Sequence, residues 1–97
     1  METSEGDHDV SVDAGATIFH QEDAPEYVYV IQSGEVEIVR ELFGDAEERL
    51  ALLGPGQYVG ELGAMLGFPR SATARATTDV VLTAMPPHEF RAQVEQA

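Results

Sequence analysis

The chain has 97 residues, enough for one small domain, and its 43% apolar share excludes wholesale disorder. It has no cysteine, which excludes disulfides and thiolate metal sites, no apolar run long enough to span a bilayer as a helix, and no basic-then-apolar leader, so a cytoplasmic location is expected. Eighteen acids against five basic residues, all arginine, give a net charge of −13, which argues against contact with nucleic acid or an anionic membrane.

Met1–Asp9 is polar and acidic without periodicity and reads as a flexible lead-in to a domain at 10–97. Val10–Val12 is a short strand, Asp13-Ala14-Gly15 a turn, and Thr17-Ile18-Phe19 a second strand. Gln21–Glu26, with Pro25, is a loop. Tyr27–Gln32 is the strongest strand, aromatic and β-branched without breakers, and Ser33-Gly34 signals a hairpin turn. Alternation in Glu35–Arg40 places Val36 and Ile38 inward, with Glu37 and Val39 on the other face. Glu41–Glu48 reads as a loop, with Glu47, Glu48 and Arg49 as a solvated rim. Leu50–Leu53 is the returning strand, ended by Gly54-Pro55-Gly56. Beyond Ala72, Thr73–Thr77 and Val80–Ala84 are strands, and Pro86-Pro87 sets the turn into a helix over His88–Gln96. Phe90 and Val94, four apart, are expected to bury one face of that helix. About seven or eight short strands joined by glycine turns predict a mainly β fold, an antiparallel β-roll or jelly roll with a short helix and a C-terminal helix. His8, His20 and His88 are too scattered for a metal site, and no nucleophile–base pair has motif spacing.

The stretch Pro55–Ala76 carries the chemistry. Gly60 and Gly63 lack a Cβ, so a ligand can approach the main chain there. Glu61–Leu66 is about one or two helical turns long, and the first N–H groups of a helix have no partners inside it. Arg70, nine positions after Glu61, adds a planar, permanently charged fork that matches two phosphate oxygens. Ser71 offers a hydroxyl and Ala72 an unobstructed main-chain N–H. Glu61 would repel a phosphate and is expected to accept from a neutral group such as a sugar hydroxyl. Arg75 sits at an odd distance from Arg70, between the apolar pair Ala74 and Ala76, and is expected to face solvent. An anion grip beside a hydroxyl acceptor suggests a nucleotide with a free ribose hydroxyl.

GELGAMLGFPRSATARA resembles the phosphate-binding cassette of the cyclic nucleotide-binding domain family, which includes the catabolite activator protein and protein kinase A regulatory subunits. AGATIFHQEDAPEYVYVIQSGEVEIV upstream and VVLTAMPPHEF downstream are similar to the family's other strands and its helix entry, so the resemblance covers roughly Val10–Val94. It departs at Glu22, where the family usually has glycine. The resemblance implies that Arg70, the N–H groups of Leu62, Gly63 and Ala72, and the Ser71 hydroxyl hold the cyclic phosphate. Glu61, helped by the Gly60 backbone, takes the ribose 2′-hydroxyl. Ser71 either serves the phosphate or touches the amino group of a syn guanine, and cyclic AMP is favoured over cyclic GMP. Leu50 and Ala51 are expected near the wall that faces the base, with plain core packing as the alternative. The family's N-terminal helix and its closing C-helix are not recognised, which predicts weaker binding and blurred base discrimination, and leaves open a fragment or a minimal domain.

The resulting expectation is a non-enzymatic regulatory module that binds a cyclic nucleotide and no metal, and that acts on an effector domain or partner protein. A ligand-free roll serving as an interaction or dimerisation piece is the alternative. A small cupin-like enzyme is a third reading, and it needs clustered metal ligands.

Overall fold

The structure, a computed structural model, describes residues 7–96. In chain order its elements are β1 (His8–Val12), β2 (Thr17–Phe19), β3 (Val28–Ser33), β4 (Val36–Glu41), β5 (Glu47–Leu53), β6 (Tyr58–Val59), α1 (Glu61–Leu66), β7 (Thr73–Ala76), β8 (Val80–Met85) and α2 (Pro87–Gln96). The strands form two four-stranded antiparallel sheets, ordered β1-β8-β3-β6 and β2-β7-β4-β5. Only β4 and β5 are both consecutive and paired, so elsewhere the chain passes from one sheet to the other. This is the antiparallel β-roll expected from the sequence.

Ile31, Val36, Val59, Ala74, Ala76, Val80 and Leu82 form the core between the sheets. A second cluster of Val28, Ala64, Met85 and Phe90 lies where both helices meet the roll. A six-residue helix has too few hydrogen bonds to stand alone, so α1 depends on that packing. Its end is closed by Gly67, left-handed at φ 76°, whose N–H donates to the Gly63 carbonyl at 2.8 Å.

Several elements differ from the sequence reading. β1 begins at His8, inside the expected lead-in, because β8 supplies a pairing partner as far as His8 opposite Ala84. The first six residues of that lead-in lie outside the described residues. Ser33-Gly34 is not a hairpin turn: β3 and β4 lie in different sheets, and Gly34 carries the chain across at φ 91°. A Cβ at Gly34 would collide with the Asp79 carbonyl oxygen and lie 2.8 Å from Val80 Cγ2. The loop expected at Glu41–Glu48 is shorter, since β4 and β5 stay paired out to Glu41 opposite Glu47. Val39 is buried rather than turned outward, at the point where the β4–β5 register slips and leaves Leu50 unpaired. Val94 is 49% exposed while Phe90 is buried, because six-residue α1 is too short to cover ten-residue α2.

Candidate functional site

The site begins with a backbone turn. The Gln57 side-chain carbonyl accepts the Gly54 N–H at 2.8 Å, and Gly56 and Gln57 bond to Ile31. This seats β6 beside β3 and brings the chain to Gly60. Gly60 is left-handed at φ 79°, and it turns β6 directly into α1 with no side-chain cap. The first helical N–H groups, Leu62 and Gly63 among them, therefore have no partner within the helix.

Arg70 follows α1 and is tied down at both backbone atoms. Its N–H donates to the Asp23 carbonyl at 2.8 Å, and its carbonyl accepts the Glu22 N–H at 2.8 Å. Glu22 takes a left-handed φ of 80°, the region that favours glycine, the residue the resemblance leads one to expect at this position. The Arg70 side chain is only 4% exposed. Nη1 donates to the Gly60 carbonyl at 2.7 Å and Nη2 to the Tyr27 carbonyl at 2.6 Å. The guanidinium carbon lies 4.0 Å from the centre of the Phe19 ring, and Nε is buried with no hydrogen-bond partner.

Three of the other four arginines are ion-paired, and the fourth, Arg91, is exposed and donates to the Met65 carbonyl. Arg75 pairs with Glu37 at 2.7 Å and Glu47 at 2.8 Å, Arg49 with Glu37 at 3.0 Å, and Arg40 with Glu48 at 3.5 Å. Those carboxylates raise the Arg75 pKa, whereas burial lowers that of Arg70, with Tyr29 and Asp23 pulling the other way. Among the described residues no carboxylate forms an ion pair with Arg70. A guanidinium stays charged under these conditions, so Arg70 is a buried cation solvated by carbonyls and a ring. Burial also pushes the nearby Tyr29 phenol up, partly offset by the Arg70 charge.

Arg70 opens onto a cavity of about 470 Å³. Gly60, Glu61, Leu62, Gly63, Arg70, Ser71 and Ala72, the seven residues singled out from the sequence, all line it. Among the described residues the Glu61 carboxylate has no hydrogen-bond or ion-pair partner. Phe19, Ile38, Leu53 and Tyr58 add an apolar part to the lining that the sequence reading did not include. Leu50 and Ala51, expected near the wall that faces the base, are not among the lining residues, but Ala51 pairs with Ile38, which is, while Leu50 is the unpaired residue of the β4–β5 slip. No helical or strand period signals such a slip. The volume falls within the range that small-molecule pockets occupy, about 300–1,000 Å³.

The histidines stand apart from this cavity. The His8 ring meets Tyr27 edge-on at 5.3 Å, His20 Nδ1 lies 3.9 Å from Asp23, and His88 is exposed. Among the described residues no group of three or more His, Asp or Glu is placed to hold a metal ion. Nor is any helix there long and apolar enough to cross a membrane.

Comparison with known proteins gives a consistent result. The Cyclic nucleotide-binding domain family matches residues 9–97. An uncharacterized ABC transporter ATP-binding protein of Mycobacterium tuberculosis is 39% identical over 90 residues, covering 93% of this chain and 27% of that protein. The crystal structure of the Thermus thermophilus catabolite activator protein superposes with a TM-score of 0.82 at 33% identity, over 93% of this chain and 42% of that one. The EAL enzyme Bd1971 is 30% identical and has been solved in cAMP-bound and cGMP-bound forms, which superpose with TM-scores of 0.83 and 0.84. Both matches cover 93% of this chain and 24% of that one. The chain thus spans between about a quarter and about two fifths of the length of these relatives.

Proposed function

The chain belongs to the cyclic nucleotide-binding domain family, and we propose that it is a regulatory module whose cavity takes cyclic AMP in preference to cyclic GMP. The observation that carries this reading is the Arg70 guanidinium, buried beside a cavity and, among the described residues, ion-paired with no carboxylate. A ligand phosphate supplies the missing charge. Arg70 and the N–H groups of Leu62, Gly63 and Ala72 hold the cyclic phosphate, joined by the exposed Ser71 hydroxyl. Glu61, free of other partners and lining the same cavity, accepts the ribose 2′-hydroxyl beside the Gly60 backbone. The purine lies against Ile38, Leu53 and Tyr58. Preference for cyclic AMP rests on Ser71, a short hydroxyl already committed to the phosphate.

Binding at this site is short-ranged by necessity. A net charge of −13 repels an incoming anion, and that repulsion is screened beyond about 8 Å at physiological salt. The buried Arg70 field is screened far less. Occupancy has a route outward: Tyr58 lines the cavity and meets Phe90 of α2 edge-on at 4.9 Å. Arg91 of α2 donates to the Met65 carbonyl of α1 at 3.1 Å. Tightening around a phosphate at the start of α1 therefore bears on α2, and through it on an effector. The cytoplasmic location expected from the sequence accords with this role.

Calorimetric titration with cyclic AMP, cyclic GMP and 2′-deoxy cyclic AMP tests the reading. The unsubstituted chain should favour cyclic AMP. Arg70→Lys, which keeps a charge but loses the fork, should weaken binding by about tenfold or more. Glu61→Gln should weaken cyclic AMP while leaving the 2′-deoxy ligand little changed. The ligand-free interaction reading draws on Leu62, Leu66 and Phe68, which expose more than half their surface around α1. Undetectable heats for all three nucleotides in a folded sample would transfer the conclusion to it.

A further inference from the structure

We propose that Phe19 is a positioning residue for Arg70, a ring platform that fixes the plane of the guanidinium and so orients its binding edge. The inference deepens the phosphate-binding reading above and starts from local geometry. Ile18 and Phe19 are adjacent apolar residues, and regular pairing would send them to opposite faces of the sheet. The β2–β7 register slips between Thr17, opposite Arg75, and Phe19, opposite Ala74. Such a slip re-aims a side chain. Ile18 and Phe19 both pack against the core between the sheets, and Phe19 also reaches the cavity wall.

There the guanidinium carbon of Arg70 lies over the Phe19 ring, 4.0 Å from its centre. Tyr29 stacks beside Phe19, with ring centroids 6.2 Å apart and planes 25° from parallel. The guanidinium is therefore constrained in two independent ways. The Gly60 and Tyr27 carbonyls hold two nitrogens in the plane. The ring holds the plane itself. Neither restraint uses Nε, the buried nitrogen left without a partner. The carbonyls alone leave the plane able to tilt about the line joining them, and the ring removes that freedom. A phosphate arriving in the cavity then meets a fork already set, and little rotamer freedom is lost on binding. The ring also stabilises the charge by facing it with the negative side of its quadrupole.

Two measurements on the 97-residue chain test this. In the absence of nucleotide, the Arg70 Hε resonance should carry a ring-current shift that disappears in Phe19→Leu and persists in Phe19→Tyr. By calorimetry, Phe19→Leu should weaken cyclic AMP by about tenfold, the span of one desolvated cation–π contact. Adenosine, which lacks the phosphate, should be unaffected, and Phe19→Tyr should restore cyclic AMP binding. Equal weakening of adenosine and cyclic AMP would make Phe19 a general wall residue and overturn the inference. So would cyclic AMP binding within twofold of the unsubstituted chain in folded Phe19→Leu. Absence of nucleotide binding by the unsubstituted chain refutes the functional reading instead, and the Hε shift alone then decides the role of Phe19.

Discussion

Gly60→Ala separates the backbone from the side chain at the heart of the cavity. Gly60 sits at φ 79°, where an L-residue costs about 1–2 kcal/mol. Its new Cβ would also collide with Arg70 Nη1 and lie 2.9 Å from Cζ. The guanidinium cannot move aside cheaply, because the Tyr27 carbonyl and the Phe19 ring hold it. Displacing it breaks at least one hydrogen bond to a charged group, worth about 1.5–3 kcal/mol. The sum is about 2.5–5 kcal/mol, a large part of the roughly 5–15 kcal/mol expected for a domain of this size. Urea unfolding at low temperature should show this loss in the midpoint at unchanged slope. In an Arg70→Ala background the collision is gone, and Gly60→Ala should cost only about 1–2 kcal/mol. The double-mutant cycle should therefore return a coupling of about 2 kcal/mol or more. Equal costs in the two backgrounds would refute the claim that Gly60 is glycine because of Arg70.

Glu22→Gly should stabilise the chain by about 1 kcal/mol, since Glu22 holds φ 80° and only its backbone is needed to bond Arg70; thermal unfolding reads this as a higher midpoint. Gly34→Ala should cost several kcal/mol, about 3 or more, because strain at φ 91° adds to a collision with the Asp79 carbonyl, a backbone atom that cannot rotate away; denaturant titration checks it. Glu37 gives the pH dependence. Hydrogen bonding from Arg75, with help from Arg49, holds its carboxyl below the ordinary value of 4.5. A depressed folded pKa contributes stability above pH 4.5 that is lost as pH falls through the lower folded value. Glu37→Gln should therefore lose about 1–3 kcal/mol at neutral pH. Its stability should also fall less steeply on acidification, so that the two curves converge at low pH.

Residue order and chemistry were enough to settle the class of fold and seven of the residues that line the cavity. Short β-branched runs separated by glycine turns can bury a core only as paired strands. Gly60-Glu61-Leu62-Gly63 and Arg70-Ser71-Ala72 lie close enough in the chain for local geometry to bring them together. The tertiary structure alone decided the apolar part of the lining that the sequence reading did not include. Phe19, Ile38, Leu53 and Tyr58 come from four strands in two sheets, and two register slips decide which of their neighbours face the cavity. A slip is one extra residue in a hydrogen-bond ladder, set by the partner strand, and no single strand's alternation encodes it. The sheet crossing at Gly34 escaped for the same reason, since a serine-glycine pair specifies a bend but not which strand is waiting beyond it. Arg70 stands between the two cases. Its position beside the glycines is local, but its burial, with no carboxylate paired to it among the described residues, depends on the carbonyls of Gly60 and Tyr27 and the ring of Phe19, which only the closed roll assembles.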